Sequence, residues 1–278
     1  MKTKLWKQVV LLFAFAGTLQ SMQAKSSLPN SSFSVVTDSA ARTNNAPVTV
    51  TIPLQSSVQS FVASYLDEHA ERLDEIRAHN KKTFSIIQNI LVKHGVPAEL
   101  MYLAIVESKL KNNATSEAGA AGIWQLMPST ARTLGLKVNT AVDQRRHIYY
   151  SSVGAANYLN ILYRQFDDWL LVIAAYNCGA GNVQKAIKQS GSREFWKMQH
   201  YLPKETRDHV KRFIATHFHY KGEGSIVTLT KSERIQFFSV INIKDEREDD
   251  SVPPTVVVPV RWLLIKHEEG SLLTLLRK

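Results

Sequence analysis

Apolar residues recur at helical spacing along most of this chain, which confines its fold to a mainly α-helical class. Positions 58–76 and 84–91 keep a spacing of about 3.6 residues, and Gly95 is placed to end the second helix. A further helix is predicted after Pro97, because proline is well tolerated in the first turn of a helix. The remaining predicted helices cover residues 122–134, 143–166, 169–177, 183–189 and 203–220, with Asp143, Asp168 and Pro203 at three of their starts.

The N-terminal part of the chain departs from this pattern. Residues 1–24 combine a basic start with the short apolar run 9–16, which predicts a secretory signal peptide that ends at Ala24. A retained anchor and a buried first helix are the alternatives. Residues 25–54 are rich in Ser, Thr and Asn and are expected to form a flexible linker. The helical domain is therefore expected over residues 55–220.

The C-terminal part, residues 221–278, also changes in character. Residues 225–230 are strand-like, and residues 261–266 and 271–277 flank a short segment that is typical of a hairpin. We expect a small β-rich appendage of unknown role.

Charge and cysteine content narrow the classes of partner. Removal of residues 1–24 takes away three lysines and lowers the formal net charge from +10 to +7. This charge suits an acidic polymer or a membrane surface, and solubility alone explains it equally well. Nucleic acid is a poor candidate, because the basic residues are scattered and the chain is expected to be exported. Cys178 is the only cysteine, so no internal disulfide is expected and no cysteine near residue 24 offers a lipid anchor.

Glu107 interrupts an apolar helix face. Leu100, Leu103 and Leu110 occupy the other positions of that face after Pro97. A carboxylate that faces a core is costly when ionised, so its pKa is predicted to rise, as a general acid requires. The alternative is a structural Glu at the edge of the stripe, paired with an Arg or a helix N-terminus. This helix alone favours the structural interpretation.

Two more motifs place polar groups beside glycines. In the run 118–128, Gly119 and Gly122 allow close approach of backbone to a ligand, and Gln125 offers both a donor and an acceptor. In the run 174–182, Tyr176 and Asn177 end a buried-looking helix just before two glycines. Polar groups at such helix ends are typical of a binding cleft, although each residue alone is more often a cap or a core hydrogen-bonding group.

Together, Glu107-Ser108, the Gly-x-Trp-Gln-x-Met-Pro run and the Ala-Ala-Tyr-Asn run resemble the lytic transglycosylases of bacterial cell walls. The match is to the soluble-type catalytic domain with a goose-lysozyme-like fold, and within it to the membrane-bound D-type branch. It covers roughly residues 55–220. The resemblance implies Glu107 as the catalytic acid/base and a substrate contact at each of the following: Ser116, Gln125, Tyr176, Asn177 and His209.

His209 is a departure, because many relatives have a tyrosine at that position. The resemblance implies a cleft position for it, with added pH sensitivity from the imidazole. No metal or other cofactor is expected. His217 and His219 are two apart on a predicted helix and so face different ways, which argues against a metal site.

The reaction that the resemblance implies cleaves the β-1,4 bond between N-acetylmuramic acid and N-acetylglucosamine without water. Glu107 protonates the leaving oxygen, the substrate's N-acetyl group stabilises the cationic carbon, and Glu107 then takes the proton of the muramoyl C6 hydroxyl as a 1,6-anhydro ring closes. One carboxyl group therefore suffices, whereas ordinary glycosidases use two that are about 5–10 Å apart. The three motifs contain no second acid at a matching position, and Asp143, Asp167 and Asp168 are better interpreted as caps or turn residues.

The sequence thus favours a periplasmic or secreted lytic transglycosylase that acts as a monomer on peptidoglycan glycan strands, with cell-wall or envelope protein partners left open. Two alternatives remain. One is a hydrolytic muramidase on the same fold, and the other is a cell-wall-binding protein without turnover.

Overall fold

The computed structural model describes residues 51–245, 263–265 and 274–276, with backbone alone for residues 240–245 and for the last two segments. The predicted signal peptide and most of the predicted linker lie outside these residues. All of the described residues belong to one compact unit, Ser31–Lys278. The elements are α1 (Gln59–His79), α2 (Lys81–Lys93), α3 (Tyr102–Ser108), α4 (Pro128–Thr133), α5 (Ile148–Phe166), α6 (Trp169–Cys178), α7 (Ala180–Ser190), α8 (Phe195–Met198), α9 (Lys204–Lys221), α10 (Lys231–Asp245), β1 (Leu263–Ile265) and β2 (Thr274–Leu276).

Helix α6 lies at the centre of the fold. Every residue from Trp169 to Ala175 is buried, because this helix is apolar on all sides and has no face suited to water. It packs against α5, α7 and α9, while α1 packs on α9 and α2 on α5. The mainly α-helical class predicted from the sequence is therefore confirmed. No helix in the described part of the chain is long and apolar enough to span a bilayer.

Asp168 joins the starts of two helices. Its Oδ1 accepts hydrogen bonds from the backbone N–H groups of Leu170 and Leu171 at 2.9 and 3.1 Å, as expected of an N-cap. Its Oδ2 accepts from the N–H of Lys231, the first residue of α10, at 2.7 Å. The residue is only 3% exposed, and burial raises the pKa of its carboxyl group to about 6. One side chain therefore ties α10 to the central helix.

This raised pKa predicts a pH-dependent stability. Because the folded pKa lies above the unfolded value of about 3.9, the contribution of Asp168 is complete below pH 4 and is lost as the pH rises through about 6. The Asp168→Asn side chain does not titrate. As the pH rises from 4 to 7, the free energy of unfolding of the wild type should therefore fall by about 1–3 kcal/mol relative to that of the variant. Urea unfolding at several pH values measures this difference. Parallel curves of stability against pH for Asp168→Asn and the wild type would contradict the prediction.

The segment that follows α9 was predicted as a strand, and that prediction is wrong. Residues Ile226–Thr228 form a 3₁₀ turn, because the side chains of Ser225 and Thr228 make a reciprocal capping box. Helix α10 follows, and the guanidinium of Arg234 donates to the backbone oxygen and to Oδ1 of Asp167 at 3.2 and 2.9 Å. Hydrogen bonds of the capping groups outweigh the β propensity of the run.

A β-rich appendage from residue 221 is therefore not supported, since Ile226–Thr228 form a 3₁₀ turn and Lys231–Asp245 form α10. In the described C-terminal part, β structure is confined to β1 and β2. These strands pair antiparallel with Leu263 opposite Leu276 and Ile265 opposite Thr274.

Candidate active site

Helix α3 presents Glu107 from the edge of the core. A 3₁₀ turn after Pro97 leads into the helix, and Leu100 and Leu103 are fully buried on its inner face. The helix ends at Ser108, and the next residue, Lys109, adopts left-handed backbone with φ 54°. The Glu107 side chain is 13% exposed. The predicted position of this carboxyl group on the buried face is confirmed, with one side left open to solvent.

The loop 119–127 lies where a helix was predicted to begin at residue 122. Gly122 and Gln125 both have left-handed backbone, with φ of 79° and 46°, and this conformation cannot continue a helix. Isolated bridges pair Thr115 with Ala121 and Ala121 with Leu126, so the loop folds back on itself. The helix α4 starts only at Pro128. The predicted helix 122–134 is thus shortened to its second half.

Three helices hold this loop by side-chain hydrogen bonds. Ser108 Oγ on α3 donates to the backbone oxygen of Ile123 at 2.9 Å. The phenol O–H of Tyr176 on α6 donates to the backbone oxygen of Trp124 at 2.7 Å. The indole N–H of Trp124 donates to Ser152 Oγ on α5 at 2.9 Å. Because Ser108 adjoins Glu107, the first of these bonds places the loop beside the carboxyl group.

Arg145 holds the loop from the other side. Its Nη1 donates to the backbone oxygens of Gly119 and Leu126 at 2.7 and 3.0 Å, and its guanidinium forms an ion pair with Asp143 at 2.8 Å. This hydrogen-bonded ion pair lowers the pKa of Asp143. Asp143 also accepts from the N–H of Arg145 at 3.1 Å, so its predicted role as a cap is confirmed, although for a 3₁₀ turn that precedes α5.

Helix α9 brings His209 to the carboxyl group of Glu107. The distance from His209 Nε2 to Glu107 Oε1 is 2.9 Å, and the imidazole side chain is 4% exposed. Tyr176 faces the same place from α6, since burial and then the charge of Glu107 raise the pKa of its phenol. The site therefore forms where α3, α6 and α9 meet.

The other predicted contacts have hydrogen-bond partners within the protein. Gln125 Nε2 donates to the backbone oxygen of Gly122 at 2.8 Å, so the amide is held against its own loop. Asn177 Oδ1 accepts from Thr206 Oγ1 at 2.8 Å and joins α6 to α9. Ser116 is exposed and its Oγ accepts from the N–H of Ala120 at 3.0 Å. The buried ring of His209 contacts Glu107.

Sequence reasoning missed the residues that support the site. These are Ser108 as a loop anchor, Ser152, Arg145 and Thr206. The adjacent residues Arg145 and Arg146 were a sequence signal for such support, but the sequence does not show which of the two is buried. In the region that the structure describes, no group of three His, Cys, Asp or Glu side chains is arranged to hold a metal ion.

Residues 84–199 match the family described as "Transglycosylase SLT domain". These residues are therefore similar to an SLT-type transglycosylase domain. The matched range includes Glu107, the loop 119–127 and Tyr176. It ends before α9, which supplies His209.

Two curated relatives extend this result. The chain is 46% identical over 128 residues to "Membrane-bound lytic murein transglycosylase D" of Escherichia coli (strain K12), an overlap that covers 44% of this chain and 28% of that protein. It is 30% identical over 186 residues to "Putative soluble lytic murein transglycosylase" of Haemophilus influenzae, covering 65% of this chain and 30% of the relative. The chain therefore spans less than a third of the length of each.

A solved structure supports the fold. The chain aligns with the complex of the 70-kDa soluble lytic transglycosylase with bulgecin A at a TM-score of 0.50 and 24% sequence identity. The alignment covers 64% of this chain and 29% of that one. The fold of the aligned part of this chain is thus similar to that of part of that transglycosylase.

Proposed function

We propose that this chain is an exported peptidoglycan lytic transglycosylase that cleaves the bond between N-acetylmuramic acid and N-acetylglucosamine without water. The observation that carries the proposal is the carboxyl group of Glu107, which is mostly buried yet open on one side, beside a loop anchored from three helices. The relatives are named as murein transglycosylases, which supports the same substrate class.

The proposed reaction uses one carboxyl group twice. Protonated Glu107 gives its proton to the glycosidic oxygen as the bond from that oxygen to C1 breaks, and the N-acetylglucosamine side leaves with a free hydroxyl group. The substrate's N-acetyl oxygen stabilises the electron-poor C1. The Glu107 carboxylate then takes the proton of the muramoyl C6 hydroxyl, whose oxygen bonds to C1 and closes the 1,6-anhydro ring. Glu107 ends protonated and no water is consumed.

Two other acids, which precede α3 and α5, are already ion-paired, and this fits a mechanism with one catalytic carboxyl group. Glu99, in the turn before α3, lies 3.4 Å from the Lys221 ammonium group, and Asp143 is paired with Arg145. Both carboxylates are thereby committed to structural ion pairs. A hydrolytic muramidase would need a second group to activate water.

The loop and the end of α6 are proposed to form the sugar site. Gln125 is half-buried and its amide N–H is used by the loop, which leaves its carbonyl oxygen to accept from a sugar hydroxyl or N-acetyl N–H. Tyr176 acts by holding the backbone of Trp124, and Asn177 by joining α6 to α9. Ser116 is assigned to the outer part of the site because it is exposed. Peptide-bearing glycan strands are acidic, which suits the basic chain.

Digestion of purified sacculi tests the activity. The expected result is the release of 1,6-anhydro-muropeptides, identified by mass spectrometry, because the C6 hydroxyl replaces water as the nucleophile. Products heavier by one water would instead indicate a muramidase. Binding to sacculi without any released product would indicate a wall-binding protein. Heat-denatured protein serves as the control for spontaneous release.

A further inference from the structure

His209 is the one predicted substrate contact whose recorded partner is the catalytic candidate itself. Its Nε2 lies 2.9 Å from Glu107 Oε1, across 102 positions of sequence. The two side chains are 4% and 13% exposed, so water competes little for this hydrogen bond. A short, shielded contact of this kind fixes the orientation of a carboxyl group.

The surroundings of the imidazole select its tautomer. Nδ1 is buried, and the described residues offer it no hydrogen-bond partner. An N–H at Nδ1 would therefore be a buried donor without an acceptor, an arrangement that is rarer and costlier than a bare lone pair. The neutral ring thus carries its proton on Nε2 and donates it to Oε1 of Glu107.

This donor leaves the two carboxyl oxygens of Glu107 in different situations. Oε1 is occupied by the imidazole N–H, and among the described residues no hydrogen bond to Oε2 is recorded. We propose that His209 is a positioning residue for Glu107: it holds Oε1, so that Oε2 both gives the proton to the leaving oxygen and takes it back from the C6 hydroxyl. This inference rests on the proposed function.

The same hydrogen bond assists both halves of the reaction. While Glu107 is protonated on Oε2, its carbonyl Oε1 accepts from Nε2–H and the carboxyl group cannot rotate away from the cleft. Once the proton has left, the N–H stabilises the negative charge, and hydrogen bonds to charged groups are the stronger ones. The imidazole itself neither gains nor loses a proton. It acts on Glu107 and not on the sugar.

Other ionisable groups around the pair have partners of their own. Tyr176 on α6 faces Glu107, and burial raises the pKa of its phenol, so it carries no charge near neutral pH. The charged side chains of α9 also have partners. The ion pairs are Lys204 with Asp208, Arg212 with Glu205, His219 with Asp74, and Lys221 with Glu99. The ammonium group of Lys211 lies over the ring of Phe61. The imidazole N–H is thus the one recorded donor to the Glu107 carboxyl among these residues.

Variants at His209 separate positioning from packing. His209→Phe keeps a ring but removes the N–H, and His209→Gln keeps an amide N–H at a similar reach. We expect His209→Phe to lower kcat by about ten- to a hundred-fold with KM nearly unchanged. His209→Gln should recover most of the loss in kcat. Anhydro-muropeptide release and thermal melting provide the measurements.

Nitrogen NMR of the wild-type protein gives a test that does not need activity. With the His209 signals assigned by their loss in His209→Phe, Nε2 should be of the protonated type and Nδ1 of the bare type. The reverse pattern would overturn the inference, as would a folded His209→Phe with wild-type kcat, or a folded His209→Gln no better than His209→Phe. If the wild type releases no anhydro product, the proposed function fails instead, and the NMR result still decides the hydrogen bond.

Discussion

Glu107→Gln should reduce the release of anhydro-muropeptides by about 10³-fold or more while the protein stays folded. An amide has no proton to give to the glycosidic oxygen and cannot take one from the C6 hydroxyl, and general acid–base catalysis alone contributes about 10²–10⁴-fold. The fold should be kept, because glutamine has the same shape and its carbonyl oxygen can still accept from His209 Nε2. Product release is followed by mass spectrometry, and folding by circular dichroism and thermal melting.

Glu99→Gln is a matched control for this variant. Glu99 lies one turn before α3, is also buried, and has its ionic partner in Lys221, so its loss should affect stability without removing activity. The structural interpretation of Glu107 makes the opposite prediction. If Glu107→Gln melted at a lower temperature yet released product at the wild-type rate, Glu107 would be a structural residue and the mechanism would be wrong.

Gly122→Ala should both destabilise the protein and distort the loop beside Glu107. A Cβ at this position would lie 1.9 Å from the backbone oxygen of Arg145 and 2.7 Å from its carbonyl carbon. Neither atom can move without shifting the turn before α5. The φ of 79° adds strain for any residue with a side chain. Together these effects should lower the free energy of unfolding by about 2–5 kcal/mol, measured by urea unfolding.

Gly119→Ala separates the clash from the backbone strain. Gly119 lies in the same loop with φ 84°, but an added Cβ would meet no atom within 4 Å. Its cost should therefore be about 1–2 kcal/mol, from backbone strain alone. Activity should fall further in Gly122→Ala than in Gly119→Ala, because only the former displaces the loop. Equal stability of the two variants would mean that the close approach to Arg145 is absent in solution.

Local signals predicted the elements whose ends depend on nearby residues. Asp168 caps α6 as its short polar side chain suggested, Pro203 precedes α9, and Gly95 ends α2 with φ 69°. The apolar periodicity likewise placed Glu107 on a buried face. These features depend on contacts within a few positions of sequence, where spacing and residue type carry the information.

Features that depend on distant contacts were missed or wrong. The loop after Gly122 was predicted as a helix. No neighbouring residue indicates that Gln125 adopts left-handed backbone, and Arg145, which donates to the backbone oxygen of Leu126, lies outside the predicted helix. Residues 225–230 were predicted as a strand, but Ser225 and Thr228 cap each other and the turn packs against α6. The resemblance implied a substrate contact at His209 but gave no sign of its bond to Glu107, which spans 102 positions and which no periodicity could predict.

The hydrogen bond between Asp168 and the first residue of α10 also limits how short a stable fragment of the domain can be. A fragment limited to residues 84–199 would lack α9 and α10. It would therefore lose the imidazole of His209, which contacts Glu107, and the N–H of Lys231, which binds Asp168 at the start of α6. A stable excised domain should instead begin before α1 and extend through residue 245. The part of the chain that these contacts hold together is therefore larger than the range 84–199 that matches the SLT domain.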